Sequence, residues 1–599
     1  MSLHETSNLL HQRNISSAMN TDIKPCADFY TYTCDHWFAM QEDRYQEYYT
    51  KVPGMLDYKN IKELIGYLSN DNSMRNKPQF AKKVQDLYKM CMNSRPFIAQ
   101  YYMYALTNME DIQWILFAKD DNGEGSDDDE VVEYDWIEMF AVASKYGMNH
   151  IFVEALIAPM DNDPHHMYIN LRKYVNAYGF DRLSNHDVRS LEESMDTEND
   201  LWSYFRQIKD FENTLKEIEA ATRPDAGSKK LWEIQDLPFE WLKSFLIYFM
   251  KPATVDPHMK VVLSDVEYMK ALDELLQKTD KKFLRRYVEM RFLSYFDQTI
   301  RELRDLPCLS AVRRLMPLAM NWIFEDLHPL DVKANNELQE MFTKILHAVN
   351  RTMHMDHIGV VDRESLHKLS NMKMVIGNLP RHNTTEILEE FYEPIKVQRP
   401  FYRNYLTIQM YYHNITLTTL ATFTDTLSPS EWYDKYEGFH YVSTINIKYY
   451  PAQNLLLVPS YLLRPPYYDP EFEDIFKYSF FGSTLASAVI STLKFNGINP
   501  EEINIIQTVG GFKTAYDVFF SGENVEQKQQ QHLKVSGGGD LKDFTFKQLF
   551  FINFMHKMCN FYANDYLFNN YMTYLPEFAT TFDCKIPTLL QVFTKSMKN

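Results

Sequence analysis

Between residues 45 and 380, apolar side chains recur at the three-to-four-residue spacing of an amphipathic helix. This sustained period constrains the chain more than any other feature. In QFAKKVQDLYKMCMNS the set Phe80, Val84, Leu87, Tyr88 and Cys91 falls on one helical face. LWSYFRQIKDFENTLKEIEAA (201–221) keeps the same period. SDVE at 264–267 reads as a capping box, Ser264 with Glu267, opening a long helical run towards Cys308. A chain of 599 residues patterned this way can bury a large core across two or more domains. Its 18 glycines are few for that length and weigh against a glycine-rich all-β architecture.

The period changes near residue 440. YVSTINIKYY and NLLLVPS are short β-branched and aromatic runs, read as strands of an edge-type sheet. Helical spacing then returns, with Leu485, Val489, Ile490 and Leu493 on one face. A further helix opens at NPEE, with Asn499 as N-cap, Pro500 at the first position and two acids near the positive dipole end. Two stretches read as exposed loops, the acidic DDNGEGSDDDE (120–130), which lacks EF-hand spacing, and the polar SGENVEQKQQQHLKVSGGGD (521–540).

A net charge of −19 argues against nucleic acid, since phosphate binding needs a basic surface, and favours cationic over anionic peptides. No run approaches the ~20 apolar residues that span a bilayer. The first 25 residues have no apolar stretch, so the chain is expected to follow a removed leader or a membrane anchor. Sequons at Asn14, Asn350, Asn383 and Asn414 and an even number of cysteines point outside the cytosol. The six cysteines alone allow fifteen pairings.

Several separated stretches resemble, in order, the neprilysin (neutral endopeptidase) family of zinc metallopeptidases. They are PCADFYTYTCDHWF (25–38), LYKMCMNS (87–94), EWYDKYEGFHYVSTINIKYYPAQNLLLVPSYLLRPPYY (431–468), FFG (480–482), GGFKTAY (510–516) and QLFFINFMHKMC (548–559). The resemblance runs from about residue 25 to 584. It implies a mainly α (α+β), two-lobed fold, a large helical lobe with a smaller thermolysin-like lobe carrying a short sheet. It also implies the disulfides Cys26–Cys584, Cys34–Cys559 and Cys91–Cys308. Lobes are expected at 25–400 and 401–599, after a disordered segment 1–24.

Zinc hydrolysis needs three protein ligands, an open position for water and a base. H-E-x-x-H on a helix supplies two histidines one turn apart with the glutamate beside them. Counted from Phe481-Gly482, that motif falls on Ile490-Ser491-Thr492-Leu493-Lys494. Isoleucine has no lone pair to give, an ammonium repels a cation, and Ser491 stands where the base would be. The resemblance places the third ligand and a histidine-orienting acid at Asn504 and Thr508, ahead of Gly510-Gly511. Ten positions separate Lys494 from Asn504, where several dozen are implied, so part of the catalytic lobe is missing. The oxyanion-steadying histidine and arginine implied between Cys559 and Cys584 are also absent.

No other arrangement supplies the chemistry. His354 with His357, and Glu364 with His367, share helical spacing but read as surface pairs, and neither a G-x-S-x-G elbow nor a P-loop occurs. What survives faces substrate. The family's Asn-Ala pair, which holds an extended peptide on a sheet edge, aligns with Asn446-Ile447; Asn446 keeps the amide, and Ile447 departs from the small residue. The sequence therefore predicts an inactive, secreted or membrane-tethered homologue with no catalytic zinc. Its partners would be peptides or an active neprilysin-like protein. A closed-cavity scaffold is the alternative, and a peptidase with a non-standard site the remote one.

Overall fold

The computed structural model describes residues 3–40, 52–94, 98–116, 135–160, 163–173, 202–222, 229–297, 305–356, 361–380, 382–422, 446–522, 525–533, 539–559, 572 and 575–585. The acidic run 120–130, His357 and all of 431–445 lie outside these residues. The periodic segments are helices, among them Gln79–Met92, Trp202–Ala221, Val332–Asp356 and Phe401–Thr422. Phe80, Val84, Leu87, Tyr88 and Cys91 are all buried, as their spacing requires. The mainly helical, small-sheet class read from the sequence holds.

The capping box at 264–267 does not form. The helix there is Val266–Lys278 and starts after Asp265, which has φ of 53° and makes no side-chain cap. Ser264 lies just past the strand Lys260–Leu263 and instead donates its N–H to Leu171 O (2.9 Å) and its hydroxyl to Asn170 (3.5 Å). A tertiary strand pairing has outcompeted a local cap. Asn499 does cap the helix Pro500–Phe519 through a reciprocal box with Glu502.

The chain folds into two compact units that interleave in sequence: 1–64, 321–378 and 443–599 in the first, 65–320 and 379–442 in the second. This corrects the expected boundary at residue 400. The Val332–Asp356 helix shares a core with the C-terminal helices, Leu338, Ile345 and Val349 packing in one cluster with Leu485, Phe512 and Phe550. The Phe401–Thr422 helix instead serves the second unit, where Tyr412 Oη donates to Leu315 O (2.6 Å).

The second unit carries a four-stranded sheet of order β1-β2-β4-β3, from β1 (Val153–Met160), β2 (Asp163–Lys173), β3 (Lys230–Glu233) and β4 (Lys260–Leu263). Helices surround it, and Cys91–Cys308 ties two of them. In the first unit β5 (Lys373–Ile376) runs parallel to β7 (Leu455–Val458), and β6 (Lys448–Tyr450) pairs antiparallel on its other side. Among the described residues β6 is the outer strand on that side, in register Lys448↔Leu457 and Tyr450↔Leu455.

Residues 1–24 are not disordered. Leu3–Ala18 is a helix whose Ile15 and Ala18 are fully buried. Asn8 holds Glu471 O (2.7 Å) and the Glu473 N–H (2.8 Å), and His11 Nε2 meets Asn553 Oδ1 at 3.0 Å. The docking face is largely polar, so the sequence reads as solvent-exposed. Cys26–Cys584 and Cys34–Cys559 fasten the following segment to the chain's other end.

Three buried histidines make this fold acid-sensitive. Desolvation, then the neighbouring His556, lowers His11 to about 3, and burial lowers His556 and His413 to about 4 each. A histidine held neutral in the fold gives full stability above its unfolded value of about 6.5, and loses it as pH falls towards the folded value. Urea unfolding between about pH 6.5 and 5 is expected to lose about 1.2 kcal/mol per pH unit for each such histidine. His11→Gln, which retains a polar group facing Asn553, should flatten that slope by about one third.

Candidate functional site

The segment where the sequence places the metal motif is the helix Ser483–Ser491, entered through a wide turn over Tyr478–Gly482 with i→i+5 character. Hydroxyls stitch this entry together. Ser479 donates to Ile475 O (2.6 Å), Ser483 to Ser479 O (2.7 Å) and Thr484 to Phe480 O (2.8 Å). Leu485, Ala486, Val489 and Ile490 are completely shielded from solvent, and Leu493 just beyond the helix is 5% exposed.

Against this helix lies Pro500–Phe519, at backbone distance. A Cβ added to Gly511 would sit 2.0 Å from Ser487 Oγ and 2.8 Å from the Ser487 backbone nitrogen; one added to Gly510 would come within 3.2 Å of Ile490 Cδ1. Two adjacent glycines in a helix interior cost about 1 kcal/mol each relative to alanine. Here they are explained by the close approach they permit.

The positions that would form a zinc shell therefore have defined and non-ligating environments. Ile490 is sealed into the helix–helix seam. Ser491 is exposed and returns its hydroxyl to Ala488 O (2.7 Å). The Lys494 side chain is exposed; its backbone N–H donates to Ser365 Oγ (3.2 Å) and its carbonyl accepts from Asp362 N (2.9 Å), pinning the chain as it leaves the helix. Asn504 is exposed and Thr508 half-buried on the facing helix. Among the described residues, no three histidine, cysteine or carboxylate side chains are grouped to hold a metal. An aliphatic side chain, an ammonium and an exposed amide do not make a zinc donor set.

One residue the sequence did not single out sits beside this helix. Lys557 donates to Ser483 Oγ (2.8 Å) and Thr484 Oγ1 (3.2 Å) and lies over the Phe554 ring at 4.6 Å. Burial lowers its ammonium to about 7. Only its tertiary neighbours reveal this, because a lysine next to a C-terminal helix end reads as a surface charge.

Asn446 and Ile447 lie just before the strand β6. Asn446 is exposed, while Ile447 turns inward and packs on the first unit's core. Of the sequons, Asn14, Asn383 and Asn414 are exposed; Asn350 is half-buried with its amide oxygen shut off from solvent. Glu364 pairs with Lys368 (3.0 Å) rather than with a ligand-bearing neighbour.

Solved structures share this fold. A chain of the Haemonchus galactose-containing glycoprotein complex superimposes with a TM-score of 0.65 at 14% identity, covering 98% of this chain and 97% of that one. Mycobacterium tuberculosis zinc metalloprotease Zmp1 gives 0.65 at 12% identity, over 95% and 96% of the two chains. The profile of Peptidase family M13 matches residues 25–380, and the chain belongs to that family. Neprilysin-2 of Caenorhabditis elegans is 23% identical over 526 residues, 76% of this chain and 67% of that protein.

Two measurements probe this site. Gly511→Ala should cost about 2–4 kcal/mol because its new methyl meets backbone, whereas Gly510→Ala meets only the end of Ile490 and should stay within about 1 kcal/mol. Leu493→Ala should cost about 2–5 kcal/mol; chemical denaturation of the three variants gives the ranking. Separately, the combined change Ile490→His, Ser491→Glu and Lys494→His should yield neither stoichiometric zinc by elemental analysis nor peptide hydrolysis, because Asn504 and Thr508 still leave the shell short.

Proposed function

We propose that this chain is a non-hydrolytic member of the family that binds peptides without cutting them. The observation that carries the reading is Ile490. A metal ligand's position holds a hydrocarbon side chain that is fully buried against Gly510. Rate enhancement comes only from groups that act preferentially on the transition state. Here the positions for two ligands, the base and the third ligand are Ile490, Lys494, Ser491 and Asn504. Ground-state recognition is a separate property. Among the described residues β6 is an outer strand of its sheet, Asn446 stands at its start with an amide able to donate and accept, and extended peptides are recognised by addition to such a strand. The net charge of −19 favours basic or neutral peptides. Three disulfides and the exposed sequons support an extracellular setting. Among the described residues no helix is long and apolar enough to cross a membrane.

Association with an active relative is the second reading. It is favoured by the similarity in fold to a chain from a Haemonchus glycoprotein complex. Calorimetry against a library of short hydrophobic peptides tests the first reading. The expected result is binding on the order of micromolar Kd, about −8 kcal/mol, weakened at least tenfold by Asn446→Ala, with every peptide intact by mass spectrometry after prolonged incubation. Absence of binding, or equal binding by the Asn446→Ala variant, transfers the role to the protein's outer surface.

A further inference from the structure

Within the second unit a cavity of about 440 Å³ opens between the carboxyl ends of the helices Ala99–Glu110 and Glu240–Phe249 and one face of the helix Trp136–Lys145. Its volume is in the range of small-molecule sites. Ile112, Met139 and Val142 give it an apolar floor, and charged groups of both signs make its walls.

Most of those charged groups are already occupied. Arg285 donates to Glu289 Oε1 (2.7 Å), Asp135 O (2.7 Å) and Gln113 O (3.0 Å). Asp135 accepts the N–H groups of Ile137 and Glu138 at one oxygen (both 3.0 Å) and the Tyr248 hydroxyl at the other (2.5 Å). Glu110 Oε1 accepts from the Tyr146 hydroxyl at 2.6 Å.

Lys145 is the exception. Its side chain is 6% exposed, and its ammonium has no hydrogen-bond acceptor among the described residues. The paired carboxylate oxygen, Glu110 Oε2, is 3.9 Å away, beyond hydrogen-bonding distance. Desolvation holds the amine below the ordinary lysine range, opposed first by the charge of Glu110 and aided by that of Lys251. Lys251 sits over the Tyr248 ring at 4.4 Å, with Glu138 Oε1 at 3.5 Å. A buried ammonium left short of acceptors is costly to the fold, and it is what an anionic ligand group would satisfy.

We propose that this cavity binds a small zwitterion of amino-acid or dipeptide size, with its carboxylate on Lys145 and its ammonium on Glu138 at the mouth. A zwitterion fits better than a simple anion because the walls also carry Glu138, 47% exposed, and Asp111. Both would repel a phosphate. The apolar floor accommodates a hydrocarbon side chain. The site is independent of the Ile490 region and of the peptide-binding reading.

The test uses the full chain and its Lys145→Met variant, with a panel of the twenty free amino acids and of neutral dipeptides as probes, and inorganic phosphate as a separate arm. At least one zwitterion is expected to raise the thermal midpoint and bind by calorimetry at or below millimolar Kd, and Lys145→Met should weaken that binding at least tenfold. The unliganded variant should melt no lower than the parent, since the change removes an underpaired charge and keeps the bulk. A lower melting point would make Lys145 a structural partner of Glu110 and overturn the assignment. So would a panel that gives no binding, binding that survives Lys145→Met, or a response to phosphate alone.

Discussion

Gly511 lies against the backbone of Ser487, and the arrangement of the first unit depends on this contact. Two helices approach closely enough that an added methyl would collide with main-chain atoms. That separation sets which side chains share the seam. Ile490 falls inside it, and Phe512, one residue beyond the glycines, reaches the aromatic cluster of Phe550, Phe551 and Phe554. The seam is thus held by packing geometry, and Ile490 within it has no donor atom to offer a metal. Ile490 contributes roughly the 1.5–3 kcal/mol of a buried aliphatic side chain, with none of the desolvation cost of a polar group at the same place.

Around that seam the interior is polar in selected places, and some of those polar groups tie distant elements together. Asn553 illustrates this: it bonds His11 on one side and Phe476 O and Ser479 on the other, so one buried amide joins the N-terminal helix to the entry of the Ser483–Ser491 helix. Two disulfides act on the same neighbourhood with sequence separations of 558 and 525 residues. Closing loops of that length removes more denatured-state entropy than closing short ones, on the order of 5 kcal/mol each in the chain-entropy model. The chain ends are therefore held by covalent links and by buried hydrogen bonds together.

The two halves of the proposed function, absence of hydrolysis and binding of peptides, are compatible because they draw on different properties of the fold. Catalysis requires donors converging on one point. Peptide recognition rests instead on backbone hydrogen bonding to an extended strand, which a side-chain change at Ile490 does not abolish.

Periodicity, caps and ordered motif matches were enough to give the helical class, the strands near 448–458, the cap at Asn499 and, through resemblance, all three cysteine pairs. That residues 490–494 do not read H-E-x-x-H was equally legible, because residue type is written in the sequence. Local signals failed wherever a distant partner decided the outcome. Ser264 was claimed by a strand, the polar face of residues 3–18 found buried acceptors, and the units were divided by which helices shared a core rather than by position along the chain. Lys145 and Lys557 make the same point. Their residue type permits a fully solvated charge, and only the tertiary structure, by removing water from around them, lowers the pKa of each.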